Sequence, residues 1–198
     1  MGYKLSGNKV SIKDDKIKEI KKQISYLLYR NLIQPIKAKP FIAVTIPNNN
    51  EDAMFVTAIM QIRRYLYGNL NDRLLNLYLK GVYKRLNFKG LMSFYPLIDD
   101  IEQLRELDGW LISTIFNCLK LRERLLINAG FNVSNQFPFN IDKDNLIDNC
   151  RKQVYKGKKR LMEIPSFTNV YYAIKKGVYD YGIDGVMNPL SNIYNYYQ

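Results

Sequence analysis

The 198-residue sequence predicts a mainly α-helical protein, a helical bundle preceded by a short β hairpin. Three observations carry that reading. Apolar residues recur at three- and four-residue spacing through most of the chain. Strand-like and helix-like stretches do not alternate as a βαβ architecture demands. The connections between periodic stretches are mostly short, which makes successive helices neighbours in a bundle. A hydrophobic content of 47 % supplies enough apolar surface for a packed core and excludes a disordered chain.

The hairpin is read from Gly2 to Ile12, where Tyr3, Leu5, Val10 and Ile12 alternate loosely with polar residues around Ser6-Gly7-Asn8. Gly or Asn there supplies the positive φ that a tight turn needs. A helix follows, with Asp14 and Asp15 as N-cap candidates and Ile17, Ile20, Ile24, Leu27 and Leu28 on one face. Pro35, Pro40, Pro47 and Asn48-Asn49-Asn50 mark a connecting loop and the best internal boundary. Helical spacing resumes over Glu51 to Tyr67, stops at Gly68-Asn69, and returns over Asp72 to Val82.

Phe88 to Pro96 reads as an apolar connector. Asp99, with Glu102 three residues on, then opens the longest helix, which runs to Ala129 with Gly130 as its C′ residue. Leu104, Leu107, Leu111, Ile115 and Leu119 form its inner stripe, and Arg122 follows the same period. Gly109 in its middle suggests a close helix approach or a kink. Beyond it we expect a loop to Ile141, a helix over Lys143 to Tyr155, a helix over Ser166 to Val178, and a loop holding Asp180 and Asp184 between glycines. These divisions give blocks 1–47, 48–130 and 131–198.

Charge narrows the function. Thirty Lys and Arg against eighteen Asp and Glu give a net charge of +12, a balance that suits polyanionic partners. Residues 1–40 hold ten of the cations and three of the acids, hence +7, and residues 151–160 hold six cations and no acid. The chain has no histidine, which removes Ser-His and Cys-His catalysis and histidine metal sites. Cys118 and Cys150 read as two reduced thiols. With neither an N-terminal apolar run nor a membrane-length apolar stretch, a soluble cytoplasmic protein without membrane partners is expected.

No phosphate-cradling glycine motif is present. The adjacent acids Asp14-Asp15 and Asp99-Asp100 each stand where a helix begins and read as caps rather than as a magnesium pair. What remains is a binding constellation. Lys13, Lys16, Lys18, Lys21, Lys22 and Arg30 lie on or beside the first helix, Arg63 and Arg64 on the second, Arg122 and Arg124 on the long helix, and Lys158, Lys159 and Arg160 in the last cluster. Lysines release counterions on meeting phosphates, and the sixteen tyrosines offer rings for unpaired bases.

The opening Gly2-Tyr3-Lys4-Leu5, followed by a Lys-rich helix over Lys13 to Arg30, resembles one region of bacterial reverse transcriptases. In group II intron maturases, retron enzymes and their defence-associated relatives, the palm ends in such a strand and the thumb begins with a basic helix. Leu107-Asp108-Gly109-Trp110-Leu111-Ile112, followed by Arg122 and Arg124, is similar to the Leu-Asp-x-Trp helix late in that thumb. The resemblance covers residues 1–126. It implies that Trp110 anchors the bundle core, that the arginines face a template-primer duplex, and that RNA and DNA are the partners. The chain departs from the family in lacking the palm with its Tyr-x-Asp-Asp turn. It is therefore expected to be a thumb and C-terminal piece without catalytic residues or a cofactor of its own, any magnesium belonging to a palm on a separate polypeptide. The competing expectation is a basic helical scaffold that binds an acidic protein. An enzyme with a metal site at Asp99, Asp100, Asp180 and Asp184 ranks third.

Overall fold

The computed structural model describes residues 2–38, 46–48 and 51–187, and the chain is mainly helical with a short antiparallel hairpin at its start. Most of the expected proline-rich connector, residues 39–45 together with 49 and 50, lies outside the described residues, as does the stretch from residue 188. By internal contacts the described residues divide into two compact units. One draws on Met1–Ile17, Arg63–Asp108 and Pro165–Gln198, the other on Lys18–Ile62 and Gly109–Ile164. Each is assembled from segments distant in sequence, so the units cut across the sequential blocks 1–47, 48–130 and 131–198.

The first unit begins with β1 (Tyr3–Ser6) and β2 (Lys9–Ile12), paired with Tyr3 opposite Ile12 and Ser6 opposite Lys9. Gly7 takes φ 58° at the first turn position, the position where a two-residue hairpin turn favours glycine. The hairpin is tied to the start of α5 (Ile101–Asn128). The Gln103 carboxamide accepts from the Ile12 amide at 2.8 Å and donates to the Ile12 carbonyl at 2.9 Å, acting as a one-residue strand partner. Asp99 accepts from the Val10 amide at 2.6 Å, and Asp100 accepts from the Ser11 hydroxyl at 2.7 Å.

Asp100 also receives the Gln103 amide at 3.4 Å. The cap therefore sits one residue later than the expected Asp99–Glu102 arrangement. The Ser11 hydrogen bond, helped by Gln103 and Lys9, holds the Asp100 carboxyl below its ordinary pKa. Asp100 thus takes the capping role expected of the pair, whereas Asp99 is turned to the Val10 amide of the hairpin instead.

Also in this unit are α4 (Asp72–Leu79), a 3-10 turn over Leu91–Phe94, and α7 (Phe167–Met187). Asn71 caps α4 by accepting from the Leu74 amide at 3.0 Å. Gly68 and Gly90, both at positive φ, bring two chain segments together: a Cβ on Gly90 would stand 2.4 Å from the Gly68 nitrogen. Only glycine fits such an approach.

The last helix departs from expectation. It continues past Val178 to Met187, and the expected turn signal survives as a break at Gly182, φ 75°. Asp180 precedes the break, paired with Lys176 at 2.8 Å and accepting from the Tyr78 hydroxyl at 3.0 Å, while Asp184 follows it.

The second unit is built on α1 (Asp14–Leu28), α3 (Ala53–Tyr67) and α5, helices that also supply residues to the first. Ile20, Ile24 and Leu28 of α1 are buried at the expected four-residue spacing. Past Leu28 the helix widens into a π segment, Tyr29–Ile33, and ends in α2 (Gln34–Lys37). Asn31 anchors the segment from inside, donating to the Leu27 carbonyl at 2.7 Å and to Gln61 Oε1 at 2.8 Å.

At the far end of α5, Gly130 takes φ 91°. Its amide donates to the Ile127 carbonyl at 2.9 Å, and the Phe131 amide donates to the Leu126 carbonyl at 3.0 Å. This is the paired closure of a Schellman motif. Phe131 and Leu126 then join Ile36, Val133 and Phe139 in one apolar cluster.

The expected helix over Lys143 to Tyr155 is shorter. A 3-10 turn over Lys143–Asn145 leads into α6 (Leu146–Lys152), and the chain then forms a small hairpin, β3 (Val154–Tyr155) with β4 (Lys158–Lys159). Lys156 and Gly157 occupy its two-residue turn at φ 46° and 71°, the double positive φ of a type I′ turn.

Two glycines respond oppositely to a methyl group. Gly109 neither kinks α5 nor admits a close neighbour: a Cβ there meets nothing within 4 Å. Gly109→Ala should therefore stabilise the protein by about 1 kcal/mol through helix propensity. On Gly177 a Cβ would stand 2.8 Å from Phe88 Cε2 and 3.0 Å from Val186 Cγ2. Gly177→Ala should destabilise by about 1–3 kcal/mol through overpacking. Urea unfolding midpoints of the two variants against the parent check both signs.

Candidate nucleic-acid interface

The inner face of α1 is set by Ile20, Ile24 and Leu28, and this fixes what the opposite face presents. Lys18, Lys22 and Tyr26 follow one another at four-residue steps, Tyr29 lies three further, and all four are exposed. Tyr26 and Tyr29 show 52 % and 45 % of their surface to solvent. Arg30 is exposed beside them, and the Lys37 ammonium lies 5.7 Å from the Tyr29 ring centroid. Between Lys16 and Arg30 the one carboxylate is Glu19. The result is a cationic and aromatic stripe along α1 and the π segment.

The remaining predicted residues separate into distinct roles. Lys13 is exposed at the start of α1, its amide donating to the Gly2 carbonyl at 2.8 Å. Lys16 is half-buried against Gly2. Lys21 lies over Trp110, 5.3 Å from the ring centroid, so part of its charge is already engaged with an aromatic face. Arg63 is half-buried and Arg64 exposed; both belong to the first unit. Arg124 is exposed on α5, and Lys158, Lys159 and Arg160 are exposed on and after β4.

Two expectations drawn from the family resemblance are corrected. Arg122 does not face a duplex: its side chain is fully buried and ion-paired with Asp52, itself 1 % exposed. The helical period that places Arg122 on the inner stripe of α5 prevails over the charge that suggests the surface. Asp52 Oδ2 takes the guanidinium, and Oδ1 accepts from the Phe55 amide at 3.0 Å, capping α3. The guanidinium also lies over the Phe139 ring at 5.8 Å. Trp110, in turn, is half-buried under Lys21 rather than anchored in a core.

Asp108 of the same motif has a structural role within the first unit. Its carboxylate accepts from the Ser166 hydroxyl at 2.8 Å, the Phe167 amide at 2.6 Å and the Thr168 hydroxyl at 2.6 Å, closing the N-terminus of α7. Tyr67 reaches the same turn, donating to the Ser166 carbonyl at 2.7 Å. Burial pushes the Tyr67 phenol well above its ordinary pKa, and the neighbouring Asp72 charge adds to this.

Burial also pushes the Cys118 thiol up to about 11 and Cys150 up to about 12, which leaves both poor nucleophiles at neutral pH. Among the described residues no group of three or more Cys, Asp or Glu is placed to hold a metal ion. No helix among them is long and apolar enough to cross a membrane.

Tyr26, Tyr29 and Lys37 were not singled out by the sequence reading. Their signal is present in it: Tyr26 stands four residues after Lys22 on the face opposite the isoleucines. No protein-family model, curated protein or solved structure matches the chain.

Removal of one partner of the buried pair gives a direct test of the Arg122 assignment. Arg122→Met leaves Asp52 buried without its cation and should destabilise by about 3–5 kcal/mol, whereas Arg124→Met, at an exposed site, should change stability by less than about 0.5 kcal/mol. Thermal unfolding of the two variants makes the comparison.

Proposed function

We propose that this chain grips nucleic acid through the outward face of α1 and performs no chemistry of its own. It would serve as the thumb and C-terminal part of a reverse-transcriptase-like polymerase whose palm and magnesium reside on a separate polypeptide. One observation carries the reading: Lys18, Lys22 and Arg30 are exposed on the face of α1 and the π segment opposite the buried isoleucines, with Tyr26 and Tyr29 between them. Point charges of this kind fix a phosphate backbone without reading sequence. The exposed cations of the β3–β4 hairpin would add a second phosphate contact of the same type. The polymerase part of this reading draws on the resemblance of the short motifs in residues 1–126.

Binding to a fluorescent RNA–DNA hybrid or single strand, followed by anisotropy across salt, tests the grip. Three phosphate contacts on this face, from Lys18, Lys22 and Arg30, predict a loss of at least roughly 20- to 40-fold in affinity between about 50 and 200 mM salt. Lys18→Ala with Lys22→Ala should reduce the slope of log K against log salt by about 1.4 to 1.8. Salt-independent affinity would remove the proposal, and tight binding to an acidic protein in its place would favour a scaffold.

A further inference from the structure

We infer that the α1 face is selective for unpaired nucleotides, with bases stacking on Tyr26 and Tyr29 while Lys18, Lys22 and Arg30 hold the phosphates. This rests on the proposal that the face binds nucleic acid and specifies which form it takes. A surface built to follow a duplex backbone needs cations alone, because the bases of a duplex are stacked on one another and offer no free ring face. Here the cations are interrupted by two large rings about half open to solvent. Such rings gain from stacking when a base is free to lie on them, and gain nothing from a closed helix.

The order along the element matches a strand laid lengthwise: two ammonium groups, two phenol rings, then a guanidinium. Lys18, Lys22 and Tyr26 advance by about 6 Å per four-residue step. The backbone under Tyr29 and Arg30 is held in place, since Asn31 is buried with its amide donating to Leu27 and Gln61. A ring carried on a fixed backbone loses less freedom on binding. Lys37 covers one face of the Tyr29 ring, its ammonium 5.7 Å from the centroid, so a base would stack on the other face. The β3–β4 hairpin lacks this combination. Its exposed Lys158, Lys159 and Arg160 stand near the half-buried Tyr155 ring, which Lys156 covers at 5.5 Å, so it suits phosphates of either form.

The test uses the full chain, fluorescent oligothymidylate and a blunt DNA duplex of the same length, at one fixed salt concentration. The parent protein should prefer the single strand by about tenfold or more. Tyr26→Ala with Tyr29→Ala should weaken single-strand binding by about thirtyfold or more while leaving duplex affinity and the salt slope unchanged; Tyr26→Phe with Tyr29→Phe should retain the preference. Both tyrosines are exposed, so the variants should fold, and their circular dichroism should match the parent. If the parent shows no preference, or the alanine pair keeps it, the stacking inference is overturned. In that event, if Lys18→Ala with Lys22→Ala still weakens binding, the grip itself stands. If the lysine pair changes neither form, both fall.

Discussion

Within the second unit, the buried pairing of Arg122 with Asp52 is the interaction on which the other contacts depend. It places a full positive charge where no water reaches it, a position tenable only because a carboxylate meets it there. The same carboxylate caps α3, so one side chain starts a helix and fastens that start to α5. Phe139 covers the guanidinium, and the Lys120 ammonium ties the segment carrying Phe139 to α5, donating to the Phe139 carbonyl at 2.9 Å and pairing with Glu123 at 3.1 Å. In the same unit Ile20, Ile24 and Leu28 of α1 are buried, and its basic face is left outward.

This arrangement divides the positive charge of the chain into two kinds. Arg122 is structural and invisible from outside, and Lys21 is partly so, lying on Trp110. The lysines at positions 18 and 22 and Arg30 remain available to a partner. A net charge of +12 therefore overstates the surface that any polyanion meets. The π segment matters for the same reason, since it carries Tyr29 and Arg30 on a backbone secured by Asn31. Widened helical turns of this kind often accompany functional positions.

Patterns confined to neighbouring residues were legible in the sequence: the turn at Gly7, the four-residue spacing of Ile20, Ile24 and Leu28, the closure of α5 at Gly130, and the cap at its start, displaced by one residue from Asp99 to Asp100. What escaped depends on residues far apart. The helical period already placed Arg122 inward, but the carboxylate that meets it there, Asp52, lies seventy positions away, and Asp108 acquires its role from Ser166 to Thr168, nearly sixty positions on. The β3–β4 hairpin was hidden for another reason. Two residues per strand give no measurable alternation, and the turn places Lys156 rather than Asn or Asp at positive φ. Of the candidate site, the lysines of α1 were visible as charge. The tyrosines among them acquired meaning only when the buried isoleucines fixed which face is outward.

The most direct measurement of the central claim is residue-level mapping of the bound surface by amide chemical shifts during titration with oligothymidylate. The largest shifts should fall on Lys18, Lys22, Tyr26, Tyr29 and Arg30, with Ile20, Ile24 and Arg122 little changed. Shifts confined to residues 154–160, or none at saturating oligonucleotide, would contradict it.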